Sequence, residues 1–383
     1  DYTPTLGGDW FARFTAALML GAAVGGIFLG SLGDRIGRTR ALGISILFYS
    51  VFAGLGALVR TQEQMLVLRF LVGLGVGGVW PNAVALAAEC WPDKSRPVVA
   101  GLMGAALNAG ILMLSQVART WHITPESWRW IFWLAAAPAV LGLLVLFALP
   151  ESPLWLAARA ARSSLPPQGE RAGVKGQPTN HPLRELFRPP LLRLTIIGIL
   201  LGSIPMVGAW AASKCLIPWA YKVGGATEAG YKAITQGWWA LGAVLGSFCG
   251  AQIASWLGRR RAYALISAGA TALTLLMFLG TAPLQASFLP IVFAQGFVAT
   301  LFFGWLPLYL PELFPTRVRA AGSGIAYNVG RFATAIGVFF AGILFAAVGG
   351  SYSRVGSLGV LIYAIGLIVI WWAPDTSRKK LQE

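Results

Sequence analysis

Apolar stretches of about 20 residues recur along most of this chain, the length an α-helix needs to cross the hydrocarbon core of a bilayer. The composition agrees. Of 383 residues, 56% are hydrophobic and 11% charged, whereas soluble domains carry about a quarter charged residues. The chain therefore reads as an all-α polytopic membrane protein rather than two or three soluble domains. Eleven transmembrane helices are expected, near 12–32, 41–60, 64–88, 97–118, 129–149, 192–219, 233–256, 262–281, 287–310, 319–348 and 355–373. The 47 glycines suit close helix contacts and the 16 tryptophans suit the bilayer interfaces.

The formal net charge of +16 does not point to nucleic acid, because the basic residues follow the topology. Of 30 Lys and Arg, 20 fall in one alternating set of loops and 7 in the opposite set. The positive-inside rule assigns the richer set, with the C-terminus, to the cytoplasmic side of a plasma (inner) membrane. The hydrophilic stretch at about 150–190, with SSLPPQGERAGVKGQPTNHP, reads as a flexible cytoplasmic linker. The chain then divides into a transmembrane half at 1–156, a linker at 157–190 and a second transmembrane half at 191–383. Cys90, Cys215 and Cys249 lie far apart, and His122 and His181 fall between spans. No metal or cofactor is expected from them, and no cluster of nucleophile, base and metal ligands suggests an enzyme.

Two motifs repeat in one register. Glu89, Pro92, Arg96 and Gly101 form E-x2-P-x3-R-x4-G, which Glu312, Pro315, Arg319 and Gly324 repeat at an offset of 223. Gly37-Arg38 in GSLGDRIGRTR and Gly258-Arg259 in ASWLGRRRA repeat at an offset of 221. The chain reads as a duplicated bundle with both copies inserted in the same sense. The span at 192–219 has no counterpart in the first half. The expectation is a six-plus-six arrangement whose first helix is missing ahead of Asp1.

These motifs resemble those of the major facilitator superfamily, over essentially the whole chain. GSLGDRIGRTR at 30–40 is similar to its signature loop between the second and third helices, and LRFLVGLGVGG at 68–78 to its fourth-helix motif. AECWPDKSR, PESPLWL at 150–156 and PELFPTRVR resemble the sugar-porter branch. GSGIAYNVGR at 322–331 resembles bacterial symporters of sialic acid, monocarboxylates and aromatic acids. The resemblance implies two pseudo-symmetric helical halves, family helices 2–6 in the first and 7–12 in the second, working by alternating access. GLMGAALNAGILM lacks the proline of the drug antiporters' fifth-helix signature. Ser255 and Trp256 stand where the first signature loop has Asp34 and Arg35, so the two inner gates are not chemically equivalent.

Charges at the helix ends on the basic side are expected to form a cytoplasmic gate of breakable, partly solvated ion pairs. They are Asp34, Arg35, Arg38, Glu89, Arg96, Arg259, Arg260, Glu312 and Arg319. In that reading Glu89 pairs with the Arg38 loop and Arg96, and Glu312 with Arg259 or Arg260 and with Arg319. A rise of ~1.5 Å per residue places Arg331, 12 residues past Arg319, ~18 Å deep and near mid-membrane. No acidic residue of the chain is comparably deep. Asn108, 12 residues past Arg96, holds the equivalent place in the first half. Arg331, Asn108, Asn328, Tyr327, Trp210 and Thr300 are the candidate substrate-binding residues. An unpaired buried cation is costly. The deep arginine therefore favours a small organic anion, a carboxylate or acidic sugar. The family resemblance implies a transporter that moves it with H+ or another coupling ion, and a monomer in the lipid bilayer is expected. A neutral sugar is the alternative, followed by drug or metabolite export and a transport-dead receptor.

Overall fold

The computed structural model describes residues 4–92, 94–120, 127–163, 182–225, 227–228 and 230–377. Within them the helices are α1 (Pro4–Ile36), α2 (Arg38–Leu55), α3 (Gln62–Cys90), α4 (Arg96–Thr120), α5 (Trp130–Ala136), α6 (Ala139–Ala148), α7 (Pro153–Ser163) and α8 (Pro182–Leu186). The second half contributes α9 (Leu191–Gly224), α10 (Tyr231–Leu257), α11 (Arg259–Leu275), α12 (Phe288–Leu313), α13 (Arg319–Ala347), α14 (Tyr352–Gly359) and α15 (Leu361–Val369). Ten spans among the described residues are long and apolar enough to cross a membrane. The 29-residue α13 occupies the remaining expected span, at 319–348.

Several spans depart from a plain helix. The expected 129–149 helix breaks into α5 and α6 just before Ala139, where Pro138 has no N–H to donate. The expected 355–373 helix breaks at Val360 between α14 and α15. After α11 the chain continues through a π-helical turn, Leu276–Gly280. The first helix is longer than expected and begins at Pro4. Residues 164–181 of the expected linker, with Arg171, Lys175 and His181, lie outside the described residues, as does His122. The flanks of that linker are helical, in α7 and α8.

Glycines set how closely the helices approach. Gly21 and Gly25 of α1 face the backbone carbonyls of Phe70 and Leu74 on α3, and Gly73 and Gly77 return the contact against Leu18 and Ala22. In the second half Gly242, Gly246 and Gly250 of α10 meet the carbonyls of Phe293, Phe297 and Leu301 on α12. A β-carbon at any of these positions would run into backbone, so small residues here permit direct backbone contact.

The halves meet where α1 packs on α13, and α4 on α10 and α12. These contacts gather toward the end carrying Arg38 and Arg319. Gly26 lies against Asn328, Gly30 against the Ala320 carbonyl, Gly101 against Phe248 and Gly104 against Phe303. Ala100 belongs to a buried cluster otherwise made of second-half residues and Leu186 of the linker's end. Farther along the same helices, Gly110, Gly237 and Gly337 have open space around them among the described residues. The bundle is closed across its charged end.

Candidate functional site

Each half builds its charged end from a tight turn. Gly37 and Gly258 precede α2 and α11 with φ of 116° and 88°. L-residues rarely adopt this region, which is why both copies of the Gly-Arg motif need glycine. The following helix start is capped by the segment after the half's last span. The Glu151 carboxylate accepts from Arg38 N at 2.8 Å and Thr39 N at 3.1 Å, and Ser377 Oγ accepts from Arg259 N at 3.0 Å. The hydroxyl of Ser152 donates to Glu89 at 2.5 Å and that of Thr376 to Glu312 at 2.5 Å. Sequence reading missed these four residues as part of the charged end. The available signal was Pro150-Glu151-Ser152 against Pro374-Asp375-Thr376, a third repeat at an offset of 224.

The charged residues then divide unequally. In the second half the pair is internal, with Arg259 Nη2 to Glu312 Oε1 at 2.8 Å and Nε to Oε2 at 3.1 Å. Arg260 turns away and donates to the Ala373 carbonyl at 2.6 Å. In the first half the cluster reaches across. Glu89 accepts from Arg38 at 3.2 Å and from Arg319 of the other half at 2.9 Å. Arg38 also holds Asp34 at 2.9 Å and donates to the Thr316 carbonyl at 2.5 Å. Asp34 accepts from Ala320 N at 3.2 Å and Ala321 N at 2.8 Å, so a first-half carboxylate caps the opening turn of α13.

Two expectations are corrected here. Glu89 pairs with Arg319 rather than Arg96, whose Nη2 lies 3.5 Å from the Trp91 carbonyl, and Glu312 does not pair with Arg319. The latch is also dry: the side chains of Asp34, Arg38, Glu89 and Arg319 are 0% exposed. Two cations and two carboxylates make it neutral. The Coulomb gain of such a buried group nearly cancels its desolvation cost. That balance suits a contact that must open and close. Arg35, by contrast, is exposed.

The mid-membrane candidates do not form one cluster. Arg331 is half-buried, its guanidinium carbon 5.3 Å from the Tyr327 ring centroid. Its Nη1 is buried with no hydrogen-bond partner among the described residues. Tyr327, 4% exposed, stacks on Trp80 of the first half with centroids 3.9 Å apart and planes 11° apart. Asn328 is fully buried against Gly26; its Nδ2 donates to the Gly324 carbonyl at 2.8 Å, while its Oδ1 has no partner among the described residues. Asn108 bridges the halves instead, donating to Ser247 Oγ at 3.1 Å. Thr300 is fully buried and donates to the Ala243 and Gly296 carbonyls, a packing role between α10 and α12. Trp210 is half-buried on α9.

This geometry can be set beside known proteins. The family described as sugar (and other) transporter matches residues 8–383. A cis,cis-muconate transport protein of Acinetobacter baylyi is 32% identical over 348 residues, covering 91% of this chain and 80% of the relative. A probable 4-methylmuconolactone transporter of Cupriavidus pinatubonensis is 29% identical over 368 residues, covering 94% and 81%. The solved structure of a major facilitator superfamily proton:xylose symporter bound to 6-bromo-6-deoxy-D-glucose superposes with a TM-score of 0.75 at 18% identity, covering 100% of this chain and 90% of that one. That likeness shows the fold.

Proposed function

The chain belongs to the sugar (and other) transporter family of the major facilitator superfamily, and on this premise we propose that it moves small organic carboxylates by alternating access. It is an integral membrane transporter and not an enzyme. The observation that carries the substrate class is Arg331, a deep guanidinium whose buried Nη1 lacks a partner among the described residues. A carboxylate supplies both the missing acceptor and the missing charge, in two parallel hydrogen bonds. Muconate, which the Acinetobacter baylyi relative is named for transporting, is a dicarboxylate, and this supports the same class.

The basic end is assigned to the cytoplasm by charge bias, so the closed latch corresponds to a state shut toward the cytoplasm. H+ is the proposed coupling ion, tested by imposing a pH gradient on proteoliposomes, and the protein is proposed to work as a monomer in the plasma (inner) membrane. The test of the substrate class is uptake of cis,cis-muconate beside xylose by wild type, Arg331→Lys and Arg331→Gln. Muconate uptake should be weakened by Lys, which keeps the charge but loses the fork, and nearly abolished by Gln. Preference for xylose, with uptake intact in Arg331→Gln, would replace this reading with a neutral-sugar transporter.

A further inference from the structure

We propose that Trp80 is a positioning residue of the anion site and ties anion affinity to closure of the cytoplasmic end. The proposal rests on the carboxylate reading of Arg331. The observations form a chain of contacts. Arg331 has no acid at its depth in this sequence, and the aromatic contact it makes is with the Tyr327 ring, 5.3 Å from its guanidinium carbon. Tyr327 is almost wholly buried, so its ring is an internal support rather than a ligand surface. That ring in turn lies flat on Trp80, which comes from α3 in the opposite half.

The position of the stack gives it a second property. Trp80 is nine residues before Glu89, and Tyr327 is eight residues after Arg319. The stack therefore sits ~12–14 Å above the Glu89–Arg319 ion pair, on the same two helices. Separating the inner ends of α3 and α13 breaks the ion pair and removes Trp80 from Tyr327. With the cytoplasmic end closed, Arg331 rests on a supported ring. With that end open, the ring loses its backing and the guanidinium its geometry, so the anion is released inward. Linkage requires the converse: a bound anion favours the closed end.

The test uses the full chain in nanodiscs, with cis,cis-muconate as probe and two readouts. Equilibrium binding is measured for wild type, Trp80→Phe, Trp80→Leu and Arg331→Gln. Closure is read from maleimide labelling of Ala100→Cys, with Cys90, Cys215 and Cys249 replaced by serine; Ala100 is buried in the cross-half cluster. Trp80→Leu should weaken muconate binding about tenfold, the upper end of the scale for losing a stacked aromatic pair. Trp80→Phe should stay within about threefold of wild type, because it keeps a ring. Muconate should slow labelling at position 100 in wild type and Trp80→Phe but not in Trp80→Leu. If Trp80→Leu does not fold, Trp80→Met, which keeps the bulk without the ring, takes its place and should give the same pair of results. Wild-type affinity together with muconate-slowed labelling in the leucine variant overturns the proposal. If that occurs while Arg331→Gln fails to bind, the carboxylate reading stands. If Arg331→Gln binds as wild type, that reading falls as well.

Discussion

Replacing Glu89 by glutamine should open the cytoplasmic end far more than it unfolds the protein. Glu89 receives hydrogen bonds from Arg38, Arg319 and Ser152 in a site with no solvent exposure of its side chain. The neutral amide leaves Arg38 with Asp34 but strips Arg319 of its carboxylate, putting one excess positive charge in a dry seam. Losing one partner of a buried ion pair costs about 3–5 kcal/mol. The rocking protein has an escape that a static core lacks, because opening that end lets water reach Arg319. Most of the cost should therefore appear as a population shift toward the open state, of about two to three and a half orders of magnitude. The assay is labelling of the Ala100→Cys thiol in inside-out vesicles by a membrane-impermeant maleimide, run beside thermal unfolding. A large rise in labelling rate with a small change in melting temperature is expected. An unchanged rate with a lowered melting temperature would refute the reasoning and leave Glu89 a structural charge.

The same geometry separates the other end residues. Glu312→Gln breaks a pair confined to the second half, so it should lower the melting temperature by several degrees and leave labelling at position 100 near wild type. Asp34→Ala removes the cap on α13 and also one of the two carboxylates of the dry cluster, leaving Arg38 and Arg319 to share Glu89; the same cost of about 3–5 kcal/mol for a lost buried partner applies, so labelling should rise about as much as in Glu89→Gln. Gly37→Ala forces a side chain into a glycine-only backbone region and into the Glu151 carboxylate. It should destabilise by at least about 1–3 kcal/mol, and by more than Gly258→Ala, where the added atom would lie 3.3 Å from Ser377 Oγ. Both are read as melting temperatures in detergent.

What the sequence made legible was set by local physics. Apolar runs fixed the spans because bilayer thickness fixes helix length. The Gly-Arg repeat identified two turns because their backbone region is closed to other residues. Of the partners of Glu89, Arg38 was legible from the repeat but Arg319 was not, since Arg96 and Arg319 hold equivalent places in that repeat. Which one it meets depends on how the halves lean, and no local pattern encodes that. Thr300 shows a related limit. Depth along a helix marks it as a mid-membrane polar group, but its hydroxyl is used by the Ala243 and Gly296 carbonyls. Depth gives no rotation about the helix axis. Trp80 escaped notice for the opposite reason: an apolar ring among apolar residues carries no signal until its partner on another helix is known.

Counterflow in proteoliposomes tests the central claim most directly, because exchange needs both faces of the cycle and no coupling gradient. Vesicles loaded with unlabelled cis,cis-muconate should transiently accumulate labelled muconate through the wild-type protein. Xylose-loaded vesicles should not accumulate labelled xylose, and Arg331→Gln should accumulate neither. Counterflow of xylose without counterflow of muconate, unaffected by Arg331→Gln, would contradict the account.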